Sequence, residues 1–373
     1  MNANMLPNED ELYYRLALSF VPDVGAKRGM ALLTQFGTAK DIFKASLKEL
    51  KKADGITEER ARAFRNEDVL RRAEEEMHFV QKNGVAVLLM TDERYPQRLL
   101  HCNDAPLLLY YKGTTNLNAA KMVAVVGTRK NTDYGQKLCE TLIEGLRGQE
   151  DLVIVSGLAH GIDGIAHKKS VDLGIATVGG LGHGLDRIYP ASHKNLAKDM
   201  LQHGGLLTEF PSGTGPDRTN FPMRNRIVAG ISDATVIVES DKAGGSLITA
   251  YMASGYNREV MAFPGRVSDS KSVGCNDLIR SNIAAMITGP GDLLELMNWS
   301  TGAKQKSVQK QLFLNLGPDE QKIVDILQTK DSVHADDLYY QTGLGGSQLA
   351  ATLLQLEMQG LIKTLPGKHY RMA

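Results

Sequence analysis

Three side chains that could form a hydrolase triad, Ser156, His160 and Asp163, lie within eight residues of one another. A serine nucleophile in an α/β sheet stands on a GxSxG elbow, which exposes its hydroxyl at the turn from strand to helix. Positions 154 and 158, where that elbow needs glycine, are isoleucine and leucine. We therefore interpret the three residues as a loop hydroxyl, a core histidine and a helix N-cap.

Motifs for metals and nucleotide cofactors are incomplete. His160 and His167 are seven residues apart on one predicted helix face, which could hold a metal, but we interpret them as a pair packed in the core. The first apolar run ends in Gly127-Thr128-Arg129 without the second glycine of a dinucleotide fingerprint, and no GxxxxGK[ST] motif occurs. The three cysteines form no CxxC pair. We expect no metal, no cofactor and no disulfide framework, in a cytoplasmic protein.

Short apolar runs alternate with amphipathic stretches through the middle of the chain. The runs are 122–126, 152–155, 175–178, 206–210, 234–238 and 259–263, and helical stretches include 136–147, 193–202 and 246–256. Near-continuous apolar strands separated by helices predict an α/β fold with a parallel sheet covered on both faces. Such a sheet binds ligands at the carboxyl ends of its strands.

Those strand ends combine glycines, hydroxyls and one arginine, Arg129, whose guanidinium offers five fixed donors to a phosphate. Other basic residues are predicted in loops on the same side: Arg187, Lys194, Arg218, Arg224, Arg226 and Lys242. Aromatic residues are interleaved with them: Tyr134, Tyr189, Phe210 and Phe221. Cations that pair with phosphates and aromatic rings that stack on bases are typical of a site for single-stranded nucleic acid. The same groups could also bind a small nucleotide or a phosphorylated metabolite.

The charge balance limits how nucleic acid could be held. The 373 residues include 43 basic and 43 acidic side chains, so the formal net charge is zero. A polyanion site must therefore be local, and long-range steering weak. No apolar run approaches the ~20 residues of a membrane span, and the acidic start is not typical of a signal peptide.

Composition divides the chain into four parts. Residues 1–80 are charged and helical, and residues 81–298 hold the glycine-rich region, with 22 of the 37 glycines between 121 and 280. Residues 299–312 are a polar linker, and residues 313–373 form a small C-terminal domain.

A long series of ordered blocks resembles the DNA-processing protein A family, DprA, also called Smf. The blocks include Val126–Arg129, Ser156–Asp163, Thr208–Pro211, Phe221–Ile227, Gly244–Ala250 and Gly274–Ile279. They span roughly residues 92–298. The resemblance implies an extended Rossmann-like domain that binds single-stranded DNA, protects incoming strands in natural transformation and loads the RecA recombinase onto them. It also implies a homodimer without catalytic activity.

The resemblance assigns DNA contacts residue by residue. The arginine of the Gly-Thr-Arg motif contacts DNA in such proteins, which implies this role for Arg129, with Gly127 and Thr128 presenting backbone beside it. A basic residue after Tyr189-Pro190 also contacts DNA, and Lys194 is the best match. Further expected contacts are Ser156, Gly157, Tyr189, Phe221, Arg224, Arg226 and Lys242. For Arg224 and Arg226, an internal salt bridge to Glu209 or Glu239 remains an equal alternative.

A nucleotide-processing enzyme, such as a phosphoribohydrolase, is the alternative function. It would use the same crevice, the Gly244-Gly245-Ser246 loop and a catalytic Glu209 or Glu239. The Arg224-Asn225-Arg226 and Gly274-Cys275-Asn276 blocks favour the DNA binder.

The flanking parts resemble known DNA-associated modules. Glycine turns near Gly25 and Gly55 resemble a helix-hairpin-helix pair, which could grip a phosphate or serve only for packing and partner binding. The C-terminal helices 318–329, 334–341 and 347–359, with a hairpin at Pro366-Gly367, resemble a winged helix. No lysine or arginine occurs between residues 331 and 362, so we expect a protein-interaction role there rather than duplex reading.

Overall fold

The computed structural model describes residues 9–299, 316–328, 332–358, 361–365 and 368–372. These residues form two compact units, one on each side of residue 300. No helix within the described ranges is long and apolar enough to cross a membrane.

Six helices open the first unit. They are α1 (Glu9–Phe20), α2 (Ala26–Phe36), α3 (Ala39–Lys44), α4 (Leu47–Leu50), α5 (Glu58–Ala63) and α6 (Glu67–Asn83). Side chains of Thr38, Ser46, Thr57 and Asn66 cap the starts of α3 to α6, which explains why such short helices begin where they do. Their apolar faces share one core with residues of the first two strands of the sheet.

A nine-stranded sheet follows. Its strands are β1 (Ala86–Leu89), β2 (Leu108–Gly113), β3 (Lys121–Val126), β4 (Leu152–Ser156), β5 (Ala176–Gly180), β6 (Gly205–Thr208), β7 (Ala234–Ile237), β8 (Glu259–Ala262) and β9 (Ala285–Met286). Their order is β1-β2-β6-β5-β4-β3-β7-β8-β9. Strand β2 pairs antiparallel with β1 and β6, and the other pairs are parallel. The expected α/β fold is confirmed, and β1, β2 and β9 are additional strands that were not predicted.

Eight helices surround the sheet: α7 (Gln97–Leu100), α8 (Asp133–Gly145), α9 (Ile162–Asp172), α10 (Lys194–His203), α11 (Asn220–Gly230), α12 (Gly245–Gly255), α13 (Val273–Arg280) and α14 (Pro290–Leu296). Side chains along β3 alternate between two cores. Met122, Ala124 and Val126 pack with α11, α12 and α13 on one face. Val123 and Val125 pack with α8, α9 and α14 on the other. Strands buried on both faces account for the continuous apolar runs.

The second unit has the winged-helix arrangement expected from the sequence. It contains α15 (Pro318–Gln328), β10 (Val333–His334), α16 (Ala335–Thr342), α17 (Gly346–Met358), β11 (Ile362–Leu365) and β12 (His369–Met372). The three strands pair in the order β10-β12-β11 around their own apolar core. The predicted turn at Pro366-Gly367 and, apart from Trp299, the predicted linker lie outside the described residues.

Candidate nucleic-acid interface

A cavity of about 860 Å³ lies where the parallel strands end. Its wall combines the loop after β3 (Gly127 to Lys130), Gly157 after β4, the loop before α11 with Arg218, and the start of α12 with Gly244 to Ser246. This position, beside the central strand β3, is the one at which open parallel sheets bind ligands.

Arg129 is an exposed cation of this crevice. Its guanidinium lies over the ring of Phe221, with 5.1 Å between the guanidinium carbon and the ring centroid. Tyr189 lies beside Phe221 at 6.0 Å between ring centroids. Arg129 has no ion-pair partner among the described residues, so its donors remain available to an anion.

The backbone holds Arg129 in place. The N–H of Thr128 donates to the carbonyl of Glu239 at the end of β7 (2.8 Å). Gly161 approaches the same loop from the start of α9 with φ +77°, and a Cβ there would overlap the Thr128 carbonyl. Glycine is therefore required where α9 begins beneath the Arg129 loop.

Arg224 forms the floor of the crevice. It is 4% exposed, it lies on α11 rather than in a loop as expected, and it donates to the carbonyls of Gly157 and Gly180. A Cβ on Gly157 would overlap its guanidinium. Arg224 thus shapes the loop after β4 from below.

Asp163 is buried next to this floor. Its carboxylate accepts from the N–H groups of Gly157 (3.1 Å) and Ala159 (3.4 Å). Burial raises the pKa of Asp163, while the charge of Arg224 opposes that increase. The interpretation of Asp163 as an N-cap is wrong, because α9 is capped by Gly161 and Asp163 lies inside the helix.

Arg226 points into a different cavity. It pairs with the Glu209 carboxylate and also donates to the carbonyl of Asp104. Arg226 and Glu209 line a second cleft of about 760 Å³ that faces the hairpin residues Gly25 and Gly55. The internal salt bridge to Glu209 is therefore the role that the structure gives Arg226, and a place in the crevice is wrong for it.

The two glutamates proposed for the alternative enzyme both have structural partners. Glu239 is 1% exposed and accepts from the N–H (2.9 Å) and hydroxyl of Thr132 before α8. Glu209 is held by Arg226, and burial raises its pKa against the influence of that arginine. Neither residue lines the crevice.

Three other expected contact residues lie away from the crevice wall. The Ser156 side chain is fully buried, and its hydroxyl donates to the carbonyl of Val125 (2.6 Å), so it cannot reach a ligand. Lys194 begins α10 and Lys242 follows β7; both are exposed, and neither lines the cavity.

Three further basic residues line the crevice: Lys130, Arg218 and Lys271. Arg218 is one of the basic residues predicted in loops on this side, whereas Lys130 and Lys271 were not predicted. Lys271 is paired with Asp241 (2.8 Å), whereas Lys130 and Arg218 have no ion pair among the described residues. The sequence signal that could have identified Lys130 is its position directly after Arg129.

The histidines do not form the expected core pair. His160 is exposed, with its ring 5.2 Å from that of His193. His167 is fully buried, with Nδ1 2.7 Å from the Thr177 hydroxyl, and burial lowers its pKa to about 3. Within the described ranges, no three metal-ligating side chains come together.

Comparison with known proteins agrees with this geometry. A family model described as DNA recombination-mediator protein A matches residues 86–298, a DprA winged helix domain matches 313–368, and a SAM-like helix-hairpin-helix tandem matches 15–64. Protein Smf of Escherichia coli is 34% identical over 300 residues, which are 75% of each chain. The putative DNA processing protein DprA of Mycobacterium tuberculosis is 32% identical over 311 residues, 80% of this chain and 79% of that protein.

Two solved structures are similar over most of their own lengths. The X-ray structure of DprA from Streptococcus pneumoniae has a TM-score of 0.63 at 32% identity, covering 78% of this chain and 98% of that one. DNA processing protein A from Helicobacter pylori, whose structure concerns its single-stranded DNA binding mode, has a TM-score of 0.52 at 29% identity, covering 57% of this chain and 95% of that one. With the family model spanning more than half of its residues and relatives matching along most of its length, the chain belongs to the DNA recombination-mediator protein A (DprA) family.

Proposed function

We propose that the chain binds single-stranded DNA in the crevice beside β3. The observation that carries this proposal is the exposed Arg129 guanidinium, which lies over Phe221 and has no ion pair among the described residues. The single-stranded DNA binding of the Helicobacter pylori relative supports it.

The proposed binding mode uses charge for the backbone and rings for the bases. A phosphate bound to Arg129 would lie within the wall that also carries Lys130 and Arg218. The uncapped start of α12 adds backbone N–H groups that favour an anion. Tyr189, which is 45% exposed, offers a face on which a base can stack, worth roughly 1–3 kcal/mol and independent of sequence.

We further propose that the crevice binds DNA without cleaving it. Glu209 is paired with Arg226, and Glu239 accepts hydrogen bonds from Thr132. These partners support the proposal, because neither carboxylate lines the crevice where it could act on a ligand. Incubation with nucleoside monophosphates tests it, and no release of free base is expected. Turnover that persists in pure protein would favour a phosphoribohydrolase.

The cellular role that follows is recombination mediation in the cytoplasm. We propose that the protein acts as a homodimer, protects incoming strands in natural transformation and loads RecA recombinase onto them. Family membership supports this role. On strands already coated by single-strand-binding protein, RecA filaments should form faster when this protein is present. An unchanged rate would contradict the loading role.

Substitution of Arg129 tests the DNA site. Arg129→Ala should weaken binding to a fluorescent oligothymidylate at least ~10-fold, because a charge-assisted contact to phosphate is lost. The melting temperature should change little, since the side chain is exposed. Arg280→Ala is the matched control, as Arg280 is an exposed arginine on α13 that does not line the crevice. Equal affinities for the two variants would contradict the proposed site.

A further inference from the structure

Glu76 is a charged residue at a position where α6 otherwise buries apolar side chains. The buried positions of this helix are Val69, Ala73, Glu76 and Val80, a spacing typical of a core-facing stripe. The Glu76 side chain is fully buried. A buried carboxylate is costly unless it is paired and hydrogen-bonded, so its partners indicate what it does.

Two residues provide those partners: Ser212, in the loop between β6 and α11, and Arg72 on α6 itself. The N–H of Ser212 donates to both carboxylate oxygens of Glu76, at 3.0 and 3.1 Å, and the Ser212 hydroxyl donates to Glu76 as well. Arg72, one turn earlier on α6, donates to Glu76 (2.6 Å) and to the Ser212 carbonyl (2.6 Å). We refer to this set, Arg72, Glu76 and Ser212, as the α6 clamp.

The clamped loop is also the one that supplies the crevice. Six residues after Ser212 it carries Arg218 into the cavity wall, and it then enters α11, where Phe221 lies beneath Arg129. Between Ser212 and Arg218, few hydrogen bonds join the loop to the sheet domain. Gly213 donates to Asp186 (3.1 Å), and Thr214 accepts from Gly184 (3.1 Å).

We propose that Glu76 is a positioning residue for DNA binding. The α6 clamp joins the N-terminal helices to the loop, and thereby sets where Arg218 stands relative to Arg129. This inference rests on the proposed function, because it concerns the same crevice. It assigns the N-terminal helices a part in binding that requires no contact between them and DNA.

Full-length Glu76→Gln tests the positioning role. The amide keeps the shape of the side chain but loses the charge that holds Arg72 and the Ser212 N–H. We expect oligothymidylate affinity to fall about fivefold, and hydrogen exchange in residues 210–219 to increase in the absence of DNA. The salt dependence should also become shallower, by about the 0.7 in slope that one phosphate contact contributes on a single strand.

The matched control is Val80→Ala, which truncates an apolar side chain on the same buried face of α6 and leaves the hydrogen bonds of the α6 clamp in place. A merely structural role would make the two variants alike in affinity and salt slope at similar melting temperatures. That result would overturn the proposal. If Glu76→Gln does not fold, Ser212→Ala removes the two hydrogen bonds of the hydroxyl, one to Glu76 and one from Arg72, while the Ser212 N–H still donates to Glu76. This variant should show the same changes at smaller size, and wild-type affinity in it would also overturn the proposal.

A double variant separates this inference from the proposed function. If Glu76 acts through Arg218, then Glu76→Gln combined with Arg218→Ala should bind little worse than Arg218→Ala alone, whereas full additivity would overturn the proposal. If Arg129→Ala leaves binding unchanged, the proposed function and the positioning role both fail. If Arg129→Ala weakens binding but Glu76→Gln behaves like Val80→Ala, only the positioning role fails.

Discussion

Three arginines that the family resemblance assigns to DNA contact have three different environments. Arg129 is exposed over an aromatic ring, Arg224 is buried against two carbonyl groups, and Arg226 is paired with Glu209. The differences arise because each side chain has different neighbouring groups once the loops and α11 pack together. At the residue scale, a basic residue near the crevice is therefore a candidate for binding DNA only when it has no internal partner.

His167 illustrates how a single buried group shapes stability. The Thr177 hydroxyl donates to the Ile154 carbonyl (2.9 Å), so it accepts from Nδ1 of His167. Nε2 is buried and has no hydrogen-bond partner among the described residues, so burial favours the neutral ring. Its pKa in the folded chain is about 3, below the 6.5 of an unfolded chain. Between these values the unfolded chain binds a proton that the folded chain does not, so the free energy of unfolding falls as the pH is lowered.

We expect His167 to remove up to about 1.4 kcal/mol of stability for each pH unit below 6.5. Urea unfolding at pH 7, 6 and 5 measures this slope. His167→Gln, which cannot titrate, should have a lower stability at pH 7 but a flatter dependence on pH. A variant with the same slope as the wild type would show that other groups are responsible.

Helix α11 combines two functions in one element. One side presents Phe221 to the crevice, while the opposite cleft receives Arg226. Residues 221 and 226 lie on different sides of the helix because, at 3.6 residues per turn, five residues make about 1.4 turns. The block that resembles the family motif is thus partly a binding surface and partly a support.

Arg226→Ala should destabilise the protein by roughly 2–4 kcal/mol, because Glu209, whose side chain is 12% exposed, loses its partner. Chemical denaturation measures the loss. The double variant Arg226→Met with Glu209→Gln should recover much of it, since no buried charge is left alone. Oligothymidylate affinity of the folded protein should stay within about twofold of wild type; a large loss of affinity would place Arg226 in the DNA site.

At the scale of the whole molecule, the two units have different surfaces. The first carries the crevice, in which Arg129, Lys130 and Arg218 have no ion pair within the part of the chain that the structure describes. In the second, α17 exposes Leu354 (59%) and Met358 (81%) at the position of a recognition helix. A helix without basic residues cannot neutralise phosphates, so we expect α17 to bind a protein partner rather than a duplex.

A chain that ends at residue 299 should therefore bind oligothymidylate within about threefold of the full-length protein. Residues 313–373 alone, which have their own core, should show no tight binding to duplex DNA. Mobility shift at several salt concentrations measures both. Tight duplex binding by the C-terminal unit would contradict this division of roles.

The sequence by itself determined the central strands of the sheet and the strand end that carries Arg129. Strands β3 to β8 follow from continuous apolar runs, and the position of Arg129 follows from a strand end, because both depend on neighbouring residues. Only the tertiary structure decided that Ser156 and Arg224 are buried, that Arg226 pairs with Glu209, and that Glu76 holds Ser212, 136 residues away. Those outcomes depend on contacts between residues that are far apart in the sequence, so no local pattern of residue types predicts them.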